Sequence, residues 1–309
     1  MIGLCMTLEQ LRIFVAVAER THMTRAAESL GLTQSAVSAA VAALEARHNV
    51  RLFDRVGRGL ALTEAGRLFL AEATSVLLRA RAAEQALMDL AGLRRGVLSL
   101  AASQTLSGYW LPGRLATFAE QHPGLSLRMF AGNTAEVAQA VVDGRSELGF
   151  VEGVVDDVAL LRRQIGRDHI ALYVSLGHPL SEIPSLEPED ILRARWVLRE
   201  PGSGTRAQFE RELSGMGVAV EALSIVLELP SNEAALSAAA EGGLVAAVSE
   251  LAAAPFVATG RVVRLPLQLS ERRFDLITHK GRRVSAAAHA FIEAHARPGS
   301  FTAGLGLPS

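Results

Sequence analysis

Apolar residues recur at helical spacing through the first third of the chain, then give way to short apolar runs that alternate with helical patterns. The sequence therefore divides into an α-rich beginning and an alternating remainder. Leu8, Leu11, Phe14, Val15 and Ala18 predict a first amphipathic helix, with Thr7 and Gln10 spaced as the reciprocal pair of a capping box. A second, short helix runs from Thr24 to Leu30 with Ala26, Ala27 and Leu30 as its packing face, and Gly31 supplies the left-handed residue that turns the chain. Thr33 caps a third helix, whose inward stripe is Ala36, Val37, Ala40, Val41 and Leu44 and which extends to about Arg47.

Two helices joined by a tight glycine turn, with small residues where they cross, make a helix-turn-helix. Such a unit holds its second helix so that the N-terminal residues reach base edges while the free N–H groups and the dipole face phosphates. Gln34, Ser35 and Ser38 occupy that end. Glutamine pairs with adenine and serine is versatile in the major groove, although the same three residues also suit an ordinary polar first turn. Downstream, Leu52 to Leu62 reads as a two-stranded wing whose glycines permit the turn, with Arg55 and Arg58 available to the phosphate backbone. Thr63 then caps a long helix from Glu64 to about Leu90, and Leu68, Phe69, Val76, Leu77, Ala80, Ala83, Leu87 and Leu90 form a stripe at roughly heptad spacing. A stripe of that length calls for a partner helix, so a homodimer or homotetramer is expected, presenting paired readers to a pseudo-palindromic site in double-stranded promoter DNA.

Arg94, Arg95 and Gly96 break the helical pattern and mark a domain boundary. Beyond it, strand-like runs at 97–101, 125–130, 148–151, 170–174, 225–229, 244–248 and 274–278 alternate with helical ones, which argues an α/β architecture with largely parallel strands. Ligands in open sheets of this kind sit beyond the carboxyl ends of strands, against helix N-termini. Three segments fit: Ser103, Gln104 and Thr105; Asn133 and Thr134; and the glycine-rich run Arg199 to Arg206, which contains Ser203, Gly204, Thr205 and Arg206. Hydroxyls, free N–H groups and Arg206 favour an anion. Ser103, Thr105 and Asn133 also suit plain helix capping, and the glycine run suits a surface turn.

Composition narrows the class without deciding it. A chain of 309 residues, half of them hydrophobic, suggests about two globular domains. Its single cysteine, Cys5, closes no internal disulfide, consistent with a reducing compartment. The charge is unevenly spread: 12 arginines face 9 carboxylates up to Arg95, a net +3, against −4 for the remainder. The N-terminal third is thus the basic part. The first residues show no secretory signal, and the apolar stretch from Ala234 to Ala254 is broken by Glu241, Gly242, Gly243, Ser249 and Glu250, so no membrane span is predicted and the cytoplasm is the expected location. No nucleophile elbow, phosphate-loop lysine or dinucleotide fingerprint appears, and the eight histidines offer no metal-helix spacing. Catalytic and metal sites are therefore not expected. Among the histidines His169, beside Asp168, is the one candidate for a functional role.

The segment from Leu8 to Gly66 resembles the winged helix-turn-helix of LysR-type transcriptional regulators, through Leu11, Phe14, Ala18, Thr24, Ala26, Ala27, Leu30, Gln34, Val37, Ser38, Leu44, Glu45, Leu52, Phe53, Arg55, Leu62, Thr63, Ala65 and Gly66. The resemblance implies an α/β chain with an all-α-rich N-terminal winged helix-turn-helix (1–63), a dimerising linker helix (64–93) and a two-lobed, periplasmic-binding-protein-like effector domain (94–309). Lobe I would comprise about 96–167 and 268–298, and lobe II about 168–267, with crossings near Gly166 to Asp168 and Pro266 to Leu269 acting as hinges. It implies a DNA-facing set of Thr24, Arg25, Thr33, Gln34, Ser35, Ser38, Arg55 and Arg58, and RNA polymerase as a further partner. It also implies an effector set of Ser103, Gln104, Thr105, Asn133, Thr134, Glu152, Ser203, Gly204, Thr205 and Arg206 in a cleft between lobes. The Gly132-Asn133-Thr134 and Val151-Glu152-Gly153 segments look most like regulators of sulfur metabolism and carbon fixation, so an inorganic anion or short carboxylate is the expected effector, with no other cofactor. Two departures matter: Ala39 and Ala40 stand where many relatives carry larger DNA-contacting side chains, and Asn49 replaces the usual glycine after the reader helix. The rival class is a cytoplasmic solute-binding protein that its N-terminal helices merely dimerise.

Overall fold

The structure, a computed structural model, describes residues 6–57, 59–90 and 96–296. Cys5, Arg58 and the expected boundary residues Arg94 and Arg95 lie outside the described residues. The chain forms two compact units, Met1–Leu90 and Ala91–Ser309.

In the first unit, helices α1 (Leu8–Arg20), α2 (Met23–Leu30) and α3 (Gln34–His48) precede the hairpin β1 (Phe53–Val56) and β2 (Gly59–Leu62) and the long helix α4 (Glu64–Leu90). Local chemistry sets these boundaries. Thr7 and Gln10 close the capping box of α1, Gly31 ends α2 at φ +66°, Thr33 caps α3, and Asn49 ends α3 at φ +50°, a conformation asparagine tolerates. The Glu45 carboxylate accepts the backbone N–H groups of Leu52 (2.7 Å) and Phe53 (3.2 Å), tying the reader helix to the wing. Phe14 lies at ring-centroid distances of 5.4 Å from Phe53 and 4.8 Å from Phe69, so one aromatic cluster joins α1, the wing and α4. Gly66 fits because a Cβ there would lie 2.1 Å from the Leu52 carbonyl oxygen. The long stripe of α4 divides along its length. Phe69, Leu70, Ala73 and Leu77 join the core of this unit, whereas Val76, Ala83 and Leu87 are exposed.

The second unit runs β3 (Gly96–Ser103), α5 (Leu111–Gln121), β4 (Leu125–Gly132), α6 (Thr134–Val142), β5 (Leu148–Glu152), β6 (Leu160–Ser175), α7 (Pro188–Arg193), β7 (Arg195–Arg199), α8 (Gly204–Gly215), β8 (Ser224–Leu229), α9 (Asn232–Glu241), β9 (Val245–Ser249), α10 (Glu250–Ala258), β10 (Val262–Arg264), β11 (Glu271–His279) and α11 (Ala286–His295). The strands order as β4-β3-β5-β11-β6-β9-β7-β8, with β10 on β6. Within each lobe the strands are parallel, β3 with β4 and β5, and β7 with β8 and β9, as the alternation predicts. The connections between lobes are antiparallel: β11 pairs with β5 and β6, and β6 pairs with β9. Trp110, Phe118, Phe150 and Phe291 anchor one lobe core, and Trp196, Phe209 and Leu213 anchor part of the other.

The strand expected at 170–174 is the far end of the 16-residue β6, which passes from one lobe into the other. Its first half pairs with β11 and its second half with β9 and β10, so the first crossing lies around Gly166–His169. The second crossing differs from expectation. Leu265 and Leu269 are buried in the lobe II core, and Leu265 N–H donates to the Leu172 carbonyl at 2.8 Å. That packing holds 265–269 within lobe II, and the chain crosses instead at Glu271–Phe274, where β11 begins its pairing with β6.

Candidate functional site

On the winged unit, Val37, Val41 and Leu44 turn inward and leave Gln34 and Ser35 exposed and Ser38 half-buried. The Thr33 hydroxyl accepts Ala36 N–H at 3.2 Å and lies 3.1 Å from the Ser35 hydroxyl, so capping of α3 falls to Thr33 rather than to Gln34 or Ser38. Thr24, Arg25 and Arg55 are exposed. The hairpin register sets Val56 opposite Gly59, with Gly57 at φ +58° making the turn. Arg58 lies outside the described residues.

In the second unit, a buried polar cluster joins the carboxyl ends of strands from both lobes to the two crossing strands. Arg272, on β11, is 1% exposed at its side chain and donates through Nε (3.0 Å) and Nη2 (2.5 Å) to Asp168 Oδ2, its register partner on β6. Nη2 also donates to Thr105 Oγ1 at 3.1 Å, after β3, and Nη1 donates to Thr205 Oγ1 at 2.9 Å, in the first turn of α8. One guanidinium therefore holds a threonine of each lobe. Thr105 further accepts from Asn232 Nδ2 at 3.2 Å, and Asn232 Oδ1 accepts from the buried Arg199 at 3.1 Å. Arg199 forks onto Glu200 through Nε (2.8 Å) and Nη2 (3.0 Å).

Glu152, at the end of β5, is buried and receives the hydroxyls of Ser103 and Thr105, while Arg272 Nη1 stands 3.8 Å from its Oε1. Burial pushes its carboxyl up from the ordinary value, against the opposing pull of Arg272 and then Arg199. Its backbone oxygen accepts the Thr134 hydroxyl at 2.9 Å. A Cβ on Gly204 would lie 2.1 Å from that same oxygen and 2.6 Å from Thr134 Oγ1. Ala135 N–H donates to Gly202 O at 3.3 Å, and Tyr109 Oη donates to Glu233 Oε1 at 2.7 Å. Glycine backbone of the 202–204 loop thus seats lobe II directly on the start of α6 and the end of β5. Beside this seam, α6, residues 154–157 and the start of α8 line a cavity of about 360 Å³.

Of the ten expected effector residues, Ser103, Thr105, Glu152 and Thr205 meet in the cluster, and Thr134 and Gly204 form its seam. Asn133 is the N-cap of α6, the plainer of its two readings, and also lies against Gly202, while Ser203 is the N-cap of α8 rather than part of a surface turn. Thr105 has no capping bond and serves the cluster. The Gln104 backbone oxygen accepts the Ser107 hydroxyl. Arg206 is a correction. Its guanidinium donates to Glu210 (2.7 Å), Glu228 (2.7 Å) and the Arg199 carbonyl (3.0 Å), so α8 turns this cation toward its own outer neighbours rather than into the cluster.

The cations of the cluster are instead Arg272, which carried no expectation, and Arg199, expected only as the start of the glycine-rich run; Asn232 and Asp168 join them, Asp168 having been expected only beside His169 and at the first crossing. Arg272 had a legible signal: it stands in the buried phase of a strand, two residues before Phe274. His169 is only partly buried and contributes no described bond to the cluster.

A winged helix-turn-helix followed by a two-lobed domain with a polar seam defines a regulator that binds DNA and a small ligand. Two family models agree with that class: "Bacterial regulatory helix-turn-helix protein, lysR family" matches residues 8–67 and "LysR substrate binding domain" matches residues 91–297. The chain belongs to the LysR family of transcriptional regulators, which decides against a solute-binding protein dimerised by its N-terminal helices. It is 32% identical over 289 residues to the uncharacterised HTH-type regulator YeiE of Escherichia coli (strain K12), covering 93% of this chain and 96% of that protein. It is 30% identical over 292 residues to the probable RuBisCO transcriptional regulator of Cyanophora paradoxa, covering 93% of this chain and 90% of that one. Among solved structures, full-length CbnR complexed with its target DNA aligns with a TM-score of 0.65 at 22% identity, over 94% of this chain and 99% of that one. The CcmR regulatory domain of Synechocystis PCC6803, in complex with 2-PG, aligns with a TM-score of 0.60 at 22% identity, over 65% of this chain and 96% of that one. No helix among the described residues is long and apolar enough to cross a membrane.

Proposed function

We propose that this LysR-type regulator senses a small anion, an inorganic oxyanion or a short carboxylate, at the seam formed by Ser103, Thr105, Glu152, Thr205 and Arg272. The observation that carries the reading is Arg272, whose guanidinium donates to Thr105 of one lobe and Thr205 of the other from the strand that crosses between them. A ligand oxygen competing for these donors acts on both lobes and on the crossing at once. The small anion 2-PG bound by the CcmR domain supports this chemical class. The test is a thermal-shift screen of the full-length protein with sulfate, glycolate and 2-phosphoglycolate, since a ligand that prefers the folded state raises its melting point. An anion that stabilises the wild type should lose most of its effect in the double variant Thr105→Ala/Thr205→Ala. Stabilisation by neutral sugars but by none of the anions overturns the reading.

On the DNA side, Gln34, Ser35 and Ser38 read base edges, while Thr24, Arg25, Thr33, Arg55 and Arg58 hold the phosphate backbone. Exposure of all the described members of this set except the half-buried Ser38 supports the assignment. Changing Gln34 and Ser38 together to alanine should abolish sequence-selective retardation of promoter DNA, and unaltered selectivity counts against these readers. Val76, Ala80, Ala83 and Leu87 recur at alternating spacings of four and three, and the exposure of Val76, Ala83 and Leu87 supports pairing of α4 with a second copy in a homodimer, or in a homotetramer built from it. The protein acts in the cytoplasm, and changes in DNA bending reach RNA polymerase.

A further inference from the structure

The groups around the seam come close to charge balance before any anion arrives. Arg272 and Arg199 are each 1% exposed at the side chain, and they face the buried carboxylates of Asp168 and Glu152, with the Glu200 carboxylate a quarter exposed on the far side of Arg199. Adding an anion to such a cluster leaves a buried negative charge without a counter-charge, an arrangement that is strongly disfavoured unless something neutralises it. A proton is the available means, and the geometry decides which carboxylate accepts it.

Asp168 takes two N–H bonds from one guanidinium, at 2.5 and 3.0 Å, and so has its counter-charge in place. Glu152 has no such fork. Its nearest guanidinium nitrogen is at 3.8 Å, and its other facing partners are the neutral hydroxyls of Ser103 and Thr105. From α8 it meets the backbone of Gly204, and from α6 Thr134 engages only its carbonyl oxygen. The Ser103 hydroxyl can accept as readily as donate, so it can reverse when the carboxyl gains hydrogen, whereas Thr105 Oγ1 already accepts from Arg272 and Asn232.

We propose that Glu152 makes anion binding proton-coupled: the seam takes up one proton on Glu152 for each anion it admits. The carboxylate becomes a carboxylic acid, its new O–H donates to a ligand oxygen or to a seam hydroxyl, and Arg272 is released to face the added negative charge. The ligand class follows from this. The seam admits an anion that can accept a hydrogen bond from a carboxylic acid, and it admits a zwitterion without the proton, because an ammonium group would itself satisfy Glu152. Burial, which already holds this carboxyl above its ordinary value, works in the same direction.

The inference rests on the anion reading proposed above, and the experiment separates the two. Sulfate, glycolate and 2-phosphoglycolate are titrated calorimetrically into the full-length protein across about pH 6 to 8, in buffers of different ionisation enthalpy, to count protons taken up. For an anion that binds, the expected result is uptake of about one proton and an affinity falling by up to about tenfold per pH unit where free Glu152 is ionised. Where Glu152→Gln, a neutral isostere, binds the same anion, it should do so with no uptake from the protein and with a flat pH profile, and where it does not bind, proton uptake by the wild type alone carries the test. The variant also corrects for the second ionisation of 2-phosphoglycolate itself. An anion that binds wild type and Glu152→Gln with the same proton count overturns the proton coupling and leaves the anion reading intact. Binding of glycine or another α-amino acid, with none of the anions binding, overturns both. A Glu152→Gln chain that fails to fold shifts the test to wild type alone, where zero proton uptake with sulfate or glycolate overturns the coupling.

Discussion

Arg272 and Asp168 sit opposite each other in the antiparallel register of the two crossing strands, joined by two hydrogen bonds of 2.5 and 3.0 Å to one carboxylate oxygen and sealed from solvent. The pair fixes the place where the lobes join. A fully desolvated pair is costly to break from one side, because the remaining charge stays buried without a partner.

Replacing Arg272 with methionine should therefore destabilise the effector unit by about 3–5 kcal/mol, and Asp168→Asn added to it should recover part of the loss. Urea unfolding followed by tryptophan fluorescence reads this unit specifically, because both tryptophans, Trp110 and Trp196, are buried in its lobe cores. Equal stability of the Arg272→Met chain and the wild type would contradict the geometry.

Gly204→Ala inserts a methyl group where the Glu152 carbonyl oxygen would lie 2.1 Å away. Backbone cannot yield as a flexible side chain does, so the seam must part, at a cost of about 1–3 kcal/mol. Small-angle scattering should show a more open effector unit, and any anion that stabilises the wild type should bind more weakly.

The pH dependence of stability follows from Glu152. Its carboxyl is raised by burial, with Arg272 and Arg199 acting against the rise, so the folded chain holds this proton more firmly than the unfolded chain. Stability then falls as pH climbs from the unfolded value through the folded one, and the cost vanishes below the ordinary carboxylate range. Glu152→Gln should gain urea resistance relative to wild type as pH rises from about 4 to about 8, the gap closing at the acid end. A gap that widens toward acid would reverse the assignment.

Glu45→Ala should destabilise the winged unit, because it strands the N–H groups of Leu52 and Phe53, each worth about 1–3 kcal/mol if left unpaired. Loss of helical signal at lower temperature, with the tryptophan transition unmoved, would locate the damage in this unit.

Arg55→Ala tests the wing. A residue that contacts only phosphate should weaken binding to all sequences alike and reduce the salt slope by about 1. A change confined to one sequence would make Arg55 a base reader instead.

The helix-turn-helix, its caps and the wing were legible because their signals are local. Thr7 with Gln10, Gly31, Thr33 and the apolar stripes of α1 and α3 each act within a turn or two of chain, and physics at that range is written in neighbouring residues. The alternation of strands and helices announced an α/β architecture for the same reason, whereas the division into two lobes came only with the family resemblance. The seam was only half legible. Ser103, Thr105 and Thr205 stand at or after strand ends and were found from the rule that ligands sit there, while Glu152, the last residue of β5, came only with the family resemblance. Arg206 met the same rule yet points elsewhere, because α8 sets it within reach of Glu210 and β8 sets Glu228 beside it. Sequence by itself determined which segments become helices, strands and turns. Tertiary structure decided which charges are buried together, since Arg272 finds Asp168 across 104 residues and a charge enters a core only where distant chain supplies its partner.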